Sequence, residues 1–201
     1  MSMSVNTNVT AMLALQNLNA TSRMLDETQM RINTGLKVNG AEDNAAIYAI
    51  AQNMRADVSA LNAVSQSVGR AISIIDVSLA AGETISDLLV QMKEKVVAAN
   101  DPSLDTSSRD AYNEDFQALL EQLQSVVANA EFDGANLLNG SITSIAILAD
   151  ADASNSITLQ AENMNVSGSI ITLASTANLS TLTAAASALT DLNTSLANVN
   201  A

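Results

Sequence analysis

The chain has 201 residues and a formal net charge of −13, with all eight Lys and Arg at or before Arg109, so it lacks the basic clusters that nucleic-acid binding requires. It contains no Cys and no His, which excludes disulfides, thiolate or imidazole metal sites and His-dependent acid–base catalysis. Hydrophobic residues make up 48%, but with two Phe, two Tyr and no Trp they are mostly Ala, Leu, Val and Ile, which suit thin helical bundles better than a thick globular core. The N-terminal MSMSVNTNVT lacks a basic region followed by an apolar run, and no stretch approaches the roughly 20 apolar residues of a membrane span. Composition alone therefore predicts a soluble, intracellular chain.

In chain order, residues 6–34 are expected to form an amphipathic helix. Ala11, Leu15, Leu18, Leu25, Ile32 and Leu36 fall close to 3,4 spacing, interrupted by Ser22 and Gln29. Its apolar stripe is narrow, and such a helix is marginal in water until partner helices cover it. Gly35 is placed as a C-cap, and Asn39 with Glu42 has the form of a capping box that opens a second helix near Ala41. Ile47, Ile50, Met54, Val58, Leu61, Val68, Ile72, Ile75, Leu79, Leu89 and Val96 then recur mostly at three- or four-residue steps to Asn100. At 1.5 Å per residue that helix would be roughly 90 Å long, too long for a compact domain of this size. Asp101 and Pro102 stop it.

A third helix is expected after residues 105–108. Tyr112, Phe116, Leu119, Leu123, Val126 and Ala130 fall at strict 4,3,4,3,4 spacing and predict a packing seam against an antiparallel neighbour. From Phe132 to about Ser175 the composition turns to Gly, Asn, Ser and Thr around short apolar runs. Residues 144–148, 156–159 and 169–173 read as strands, with turns near 133–134, 139–140, 150–155 and 166–168. Leu182, Ala185, Leu189, Leu192, Leu196 and Val199 return to helical spacing and complete the seam. The fold class that results is mainly α, an elongated antiparallel helical bundle or coiled coil with a long central helix and a small β-rich outer segment.

Candidate chemistry reduces to structure. Asp150 and Asp152 alternate as calcium ligands can, but the Gly and late bidentate Glu of a calcium loop are missing, so they read as an acidic turn. Glu42 and Asp43 are adjacent on a helix, point to different faces and read as helix-start charges rather than a catalytic pair. Lys93 and Lys95 sit on a helical surface with no distinctive Ser spacing. The scattered Met residues read as adaptable packing rather than a soft metal site. The Asn, Ser and Thr after Ser141 read as turns and solvated surface rather than glycan acceptors. No catalytic residue, cofactor or metal is expected.

The stretch RINTGLKVNGAEDNAAIYAIA at residues 31–51 resembles the N-terminal signature of bacterial flagellin. The resemblance extends to Val5, Asn6, Thr7 and Asn8, to GRAISIIDVSLAAGETISDLLVQMKEKVVAAN at residues 69–100, and to EFDGANLL at residues 131–138. It implies a structural subunit of the flagellar filament, exported through a dedicated channel without a cleaved signal, which reverses the intracellular expectation. It also implies a division into an N-terminal inner-tube helix and connecting turn (1–40), a helical outer-tube hairpin (41–131), a small β-rich outward segment (132–178) and the start of a returning helix (179–201). Arg31, Gly35, Leu36, Asn39, Asp43, Ala45 and Ala46 would contact neighbouring subunits, and Val5, Val9, Leu15, Leu18, Leu25 and Ile32 would pack in the inner tube. Other flagellin subunits, the export apparatus and the cap and junction proteins are the implied partners.

The pattern stops at Ala201 without a C-cap, where the family continues this helix and adds one that pairs with the first; a truncated form or a short member is expected. Family members recognised by the innate immune receptor for flagellin often carry Arg followed four residues later by Leu where this chain has Val90 and Glu94, so weak recognition is expected. The alternatives are the related hook–filament junction protein and a secreted coiled-coil adaptor.

Overall fold

The structure, a computed structural model, describes residues 8–201. The elements follow in the order α1 (Val9–Thr34), α2 (Ala41–Ala99), α3 (Thr106–Asn129), β1 (Glu131–Phe132), β2 (Ala135–Asn136), β3 (Ser144–Leu148), β4 (Ser156–Gln160) and α4 (Leu182–Val199). The fold is mainly α, with a long central helix and a small β-rich segment. By contacts it divides into two units, residues up to 59 and residues 60–201.

In the first unit, α1 begins at Val9 because the Asn8 side chain accepts the Ala11 N–H at 3.2 Å while its own backbone is extended. It ends at Gly35, whose φ of 67° lies in the left-handed region that glycine enters without Cβ strain. The opening of α2 differs from the capping box expected of Asn39 and Glu42. The Asp43 carboxylate accepts the Asn39 N–H at 2.9 Å, and Asn44, at φ −166° and ψ 101°, kinks the first turn. Asn44 then caps the regular helix by accepting the Ile47 N–H at 3.0 Å. Asp43 thus takes the Asn39 N–H that Glu42 was expected to accept, and Asn44, three residues before Ile47, supplies the short side-chain acceptor that starts the regular helix.

The second unit holds the core. Ile85, Leu88, Leu89, Met92, Val96 and Ala99 of α2 meet Phe116, Leu120, Leu123 and Val127 of α3 and Ala185, Ala188 and Leu192 of α4. Pairing of Lys95 with Asp115 at 2.8 Å, and of the Arg109 Nε with the Ala99 carbonyl at 3.0 Å, fixes α2 and α3 as antiparallel around the turn at Pro102. Arg109 also donates to the carbonyls of Asp101 and Leu104 in the turn, while its bond to Ala99 satisfies an acceptor that the end of α2 leaves open. Asp105 caps α3 by accepting the Ser108 N–H at 2.8 Å, as the cluster at 105–108 suggested.

The expected seam is broader than a single 4,3 row. Phe116 and Leu123 are fully buried, Tyr112, Leu119 and Val126 only partly, and Leu120 and Val127 take the remaining buried positions. The cause is two-sided cover: α2 lies on one side of α3, and on the other the Gln117 Nε2 donates to the Ala177 carbonyl while Asn113 accepts the Leu179 N–H. In α4 the buried row is Ala185, Ala188, Leu192 and Ser195. Leu189, Leu196 and Val199 are partly buried, and Leu182 is exposed.

Between α3 and α4 the chain is held by polar side chains. Asp133 and Gly134, both at positive φ, make the two-residue turn joining β1 to β2, and β3 pairs antiparallel with β4 from Ser144↔Gln160 to Leu148↔Ser156. Residues 169–173, expected as a strand, form no ladder. Ile171 and Leu173 are fully buried against the core, whereas the Thr172 N–H donates to Ser195 Oγ at 3.0 Å and the Thr172 hydroxyl donates to the Asp191 carbonyl. Alternate burial gave this segment a strand pattern, but a helix, not a strand, lies beside it.

Three aspartates tie this framework to pH. Asp150 is held below the ordinary value of 3.8, first by the Ser154 hydroxyl and then by Asn155; Asp101 by the Ser103 hydroxyl and N–H; Asp105 by its bonding to Ser108. Because these carboxyls bind protons less readily folded than unfolded, their contribution is complete above the unfolded value and is lost as pH falls through the lower folded values. The midpoint of thermal melting followed by far-UV circular dichroism is therefore expected to fall steadily as buffer is taken from pH 5 to pH 2 (about the window of the carboxylates). A midpoint that rises on acidification would contradict these assignments.

Candidate assembly surface

α1 buries none of its residues. Val9, Met12, Leu13, Leu15, Leu18, Met24, Leu25, Met30 and Ile32 are all at least half exposed, and Ile32 reaches 75%. The early part of α2 repeats the pattern, with Ile47, Ile50, Met54, Val58 and Leu61 exposed at steps of three and four that bring them onto one helical face. Such rows stay in water only at a cost of roughly 25 cal/mol per Å² of apolar surface, which a partner surface would recover.

The connection between α1 and α2 is ordered by its own backbone and short side chains. Beyond the caps at Gly35, Asp43 and Asn44, the Thr34 hydroxyl donates to the Met30 carbonyl at 2.7 Å and accepts the Leu36 N–H at 3.4 Å, and Asp43 N–H donates to the Gly40 carbonyl at 3.3 Å. Arg31 pairs with Glu27 one turn earlier, and both remain largely exposed. Leu36 is half-buried, whereas Asn39, Asp43, Ala45 and Ala46 face solvent. The expected contact residues thus gather at one connection with their side chains outward. Of the expected inner-helix residues, Val9, Leu15, Leu18, Leu25 and Ile32 are exposed on α1, and Val5 lies outside the described residues.

Sequence reasoning missed Asn44 as a cap. Its signal was legible: an Asn three residues before Ile47, where the apolar row begins. It also missed a trough on α1 lined by Val9, Met12, Leu13, Leu15, Gln16, Asn19 and Arg23, which takes in apolar positions beside the 3,4 stripe.

The second unit has an open apolar groove of about 500 Å³ between α2 and the β segment. Ile75, Leu79, Leu137, Leu138, Leu159, Met164 and Val199 line it, with Glu83, Asp87 and Glu162 among its polar members. Among the described residues, no group of three or more Asp and Glu is placed to hold a metal ion.

Long helices with uncovered apolar rows, joined by a capped connection, define a structural subunit built to complete its packing against other helices. The comparisons identify which one. The family described as the bacterial flagellin N-terminal helical region matches residues 5–143. Flagellin FljK of Caulobacter vibrioides is 45% identical over 193 residues, covering 96% of this chain and 70% of the relative, and flagellin C of Rhizobium meliloti is 36% identical over 84% of this chain and 53% of its own. In fold the chain is similar to Bacillus cereus flagellin, with a TM-score of 0.56 at 24% identity over 66% of this chain and 75% of that one. The chain belongs to the bacterial flagellin family. It is a structural subunit of the extracellular flagellar filament, secreted and polymerised with other flagellin subunits, and not an enzyme.

Proposed function

We propose that α1 and the connection after it are the polymerisation surface of this subunit. Residues 1–40 form the inner-tube helix and its connecting turn, residues 41–131 the outer-tube hairpin, residues 132–178 the outward segment, and residues 179–201 the start of the returning helix. Val5, Val9, Leu15, Leu18, Leu25 and Ile32 pack in the inner tube, while Arg31, Gly35, Leu36, Asn39, Asp43, Ala45 and Ala46 contact neighbouring subunits. The Tyr112, Phe116, Leu119, Leu123 and Val126 row, widened by Leu120 and Val127, packs with Leu189, Leu192, Leu196 and Val199 as the bundle seam within the subunit, and Leu182 stays outside it. One observation carries this reading: α1 exposes large apolar side chains along its whole length and buries none. The subunit reaches its site through the flagellar export apparatus and meets the cap and junction proteins there.

A Leu18→Asp, Leu25→Asp double variant tests the surface. Each carboxylate would be buried without a partner in the tube, a penalty of about several kcal/mol, while in the free subunit both positions are wet. Electron microscopy of the source bacterium carrying only this variant should show no filaments, with the free subunit's melting unchanged. Filaments of ordinary length would refute the inner-tube role.

Weak recognition by the innate receptor follows from Val90 and Glu94, which are both exposed one turn apart on α2. Substituting V90R and E94L restores the cation and apolar anchor common among recognised relatives, and is expected to raise activation of receptor-bearing reporter cells roughly tenfold or more. Nanomolar activation by the unmodified protein would refute the prediction.

A further inference from the structure

Six of the eight methionines lie among the described residues, and they divide by burial. Met12, Met24, Met30 and Met54 are 64%, 60%, 50% and 63% exposed, all in α1 or the early part of α2. Met92 is fully buried in the core of the second unit, and Met164 packs partly buried against that core. We propose that the four exposed methionines are oxidation sites that make filament growth sensitive to peroxide, so that oxidised subunits are rejected at assembly. The inference rests on the polymerisation surface described above.

The step is a single oxygen transfer. The thioether sulfur attacks one oxygen of hydrogen peroxide, the O–O bond breaks, the sulfur becomes a sulfoxide and the other oxygen leaves as water. Exposure decides which sulfurs react in the free subunit, and on that ground four are open and Met92 is shielded. The consequence follows from what surrounds each site. Met54 stands in the middle of the row Ile47, Ile50, Val58 and Leu61, and Met12 lies in the trough with Val9, Leu13 and Leu15. The four apolar neighbours in the Met54 row offer no side-chain hydrogen-bond donor, whereas the trough at Met12 also holds Gln16, Asn19 and Arg23, so the penalty falls chiefly on Met54. A sulfoxide oxygen is a strong acceptor, and packing it into such a row removes its water without replacing the bond. Leu would provide the same apolar contact without this sensitivity. Once a partner surface covers the rows, the sulfurs are shielded, so the filament would tolerate oxidant that the free subunit does not.

The test uses subunits dissociated from filaments of the source bacterium, treated with hydrogen peroxide and added to filament seeds. Peptide mass mapping should show Met12, Met24, Met30 and Met54 oxidised at least tenfold (order of magnitude) faster than Met92. Elongation should fall by roughly tenfold or more and recover after treatment with methionine sulfoxide reductase. A variant carrying M12L, M24L, M30L and M54L should elongate equally with and without peroxide. Undiminished elongation of oxidised wild-type subunits would overturn the inference while leaving the polymerisation surface intact, as would loss of elongation in the peroxide-treated Leu variant. Oxidation of Met12, Met24, Met30 and Met54 as fast in assembled filaments as in free subunits would overturn the surface and the inference together, because a covered row shields its sulfurs.

Discussion

Phe116→Ala is expected to destabilise the subunit by about 3–5 kcal/mol, the range for truncating a large aromatic side chain in a core that cannot collapse around the space. Phe116 is one of two phenylalanines in the chain and the largest fully buried side chain. It belongs to the cluster in which α2, α3 and α4 meet, so its loss opens a hole at the centre of the bundle and not at a rim. With no Trp to report on unfolding, far-UV circular dichroism in a urea series is the suitable measurement. The midpoint should drop with little change in slope. Val90→Ala, on the exposed side of α2, is the control and should change stability by less than about 0.5 kcal/mol. A Phe116→Ala loss as small as the control's would mean that the three-helix core is not closed as described.

Asn136 is the second position of large effect, for a different reason. It is 3% exposed, and its side chain makes four hydrogen bonds. Nδ2 donates to the carbonyls of Val127 and Ala128 at the end of α3, at 2.8 and 3.3 Å, while Oδ1 accepts the N–H groups of Leu138 and Asn139 at 2.8 and 3.0 Å. Asn136→Leu keeps the volume and leaves these backbone groups without their partner, at a cost of about 1–3 kcal/mol for each that stays buried, so a loss of roughly 3 kcal/mol or more is expected. Asn136→Asp is nearly isosteric and keeps the acceptor, but turns the donor into an anion facing two carbonyls at a helix C-terminus. It should be at least as damaging near neutral pH, and an Asp variant as stable as the wild type would show that the amide donor is dispensable. Denaturant melts of the two variants side by side measure both outcomes.

Much of this protein was legible in its residues because local rules decided it. The helical rows, the stop at Pro102, the Asp105 cap, the turn at Asp133 and Gly134 and the hairpin around Asp150 each depend on side chains within a few positions of one another. The absence of His and Cys removed imidazole and thiol chemistry, and the ordered blocks at 31–51, 69–100 and 131–138 carried the family. The expected contact residues could be placed at one connection for the same reason, since Arg31 and Ala46 are only fifteen positions apart.

Tertiary structure decided what depends on a distant neighbour. Periodicity marks an apolar face but not how many partners cover it, so the row in α3 widened to include Leu120 and Val127 once α2 lay on one side and residues 177–179 on the other. Residues 169–173 alternate as a strand does, yet the donor of Thr172 found Ser195 of α4, because hydrogen-bond partners twenty residues away leave no trace in a local pattern. The same limit hid the role of Asn136, which read as one residue of a family block until the end of α3 came within reach of its amide. What the sequence by itself determined was the helices, most of their caps and the kind of surface they present; which of those surfaces face the core and which stay uncovered was settled only by the packing, because burial is a property of neighbours and not of residues.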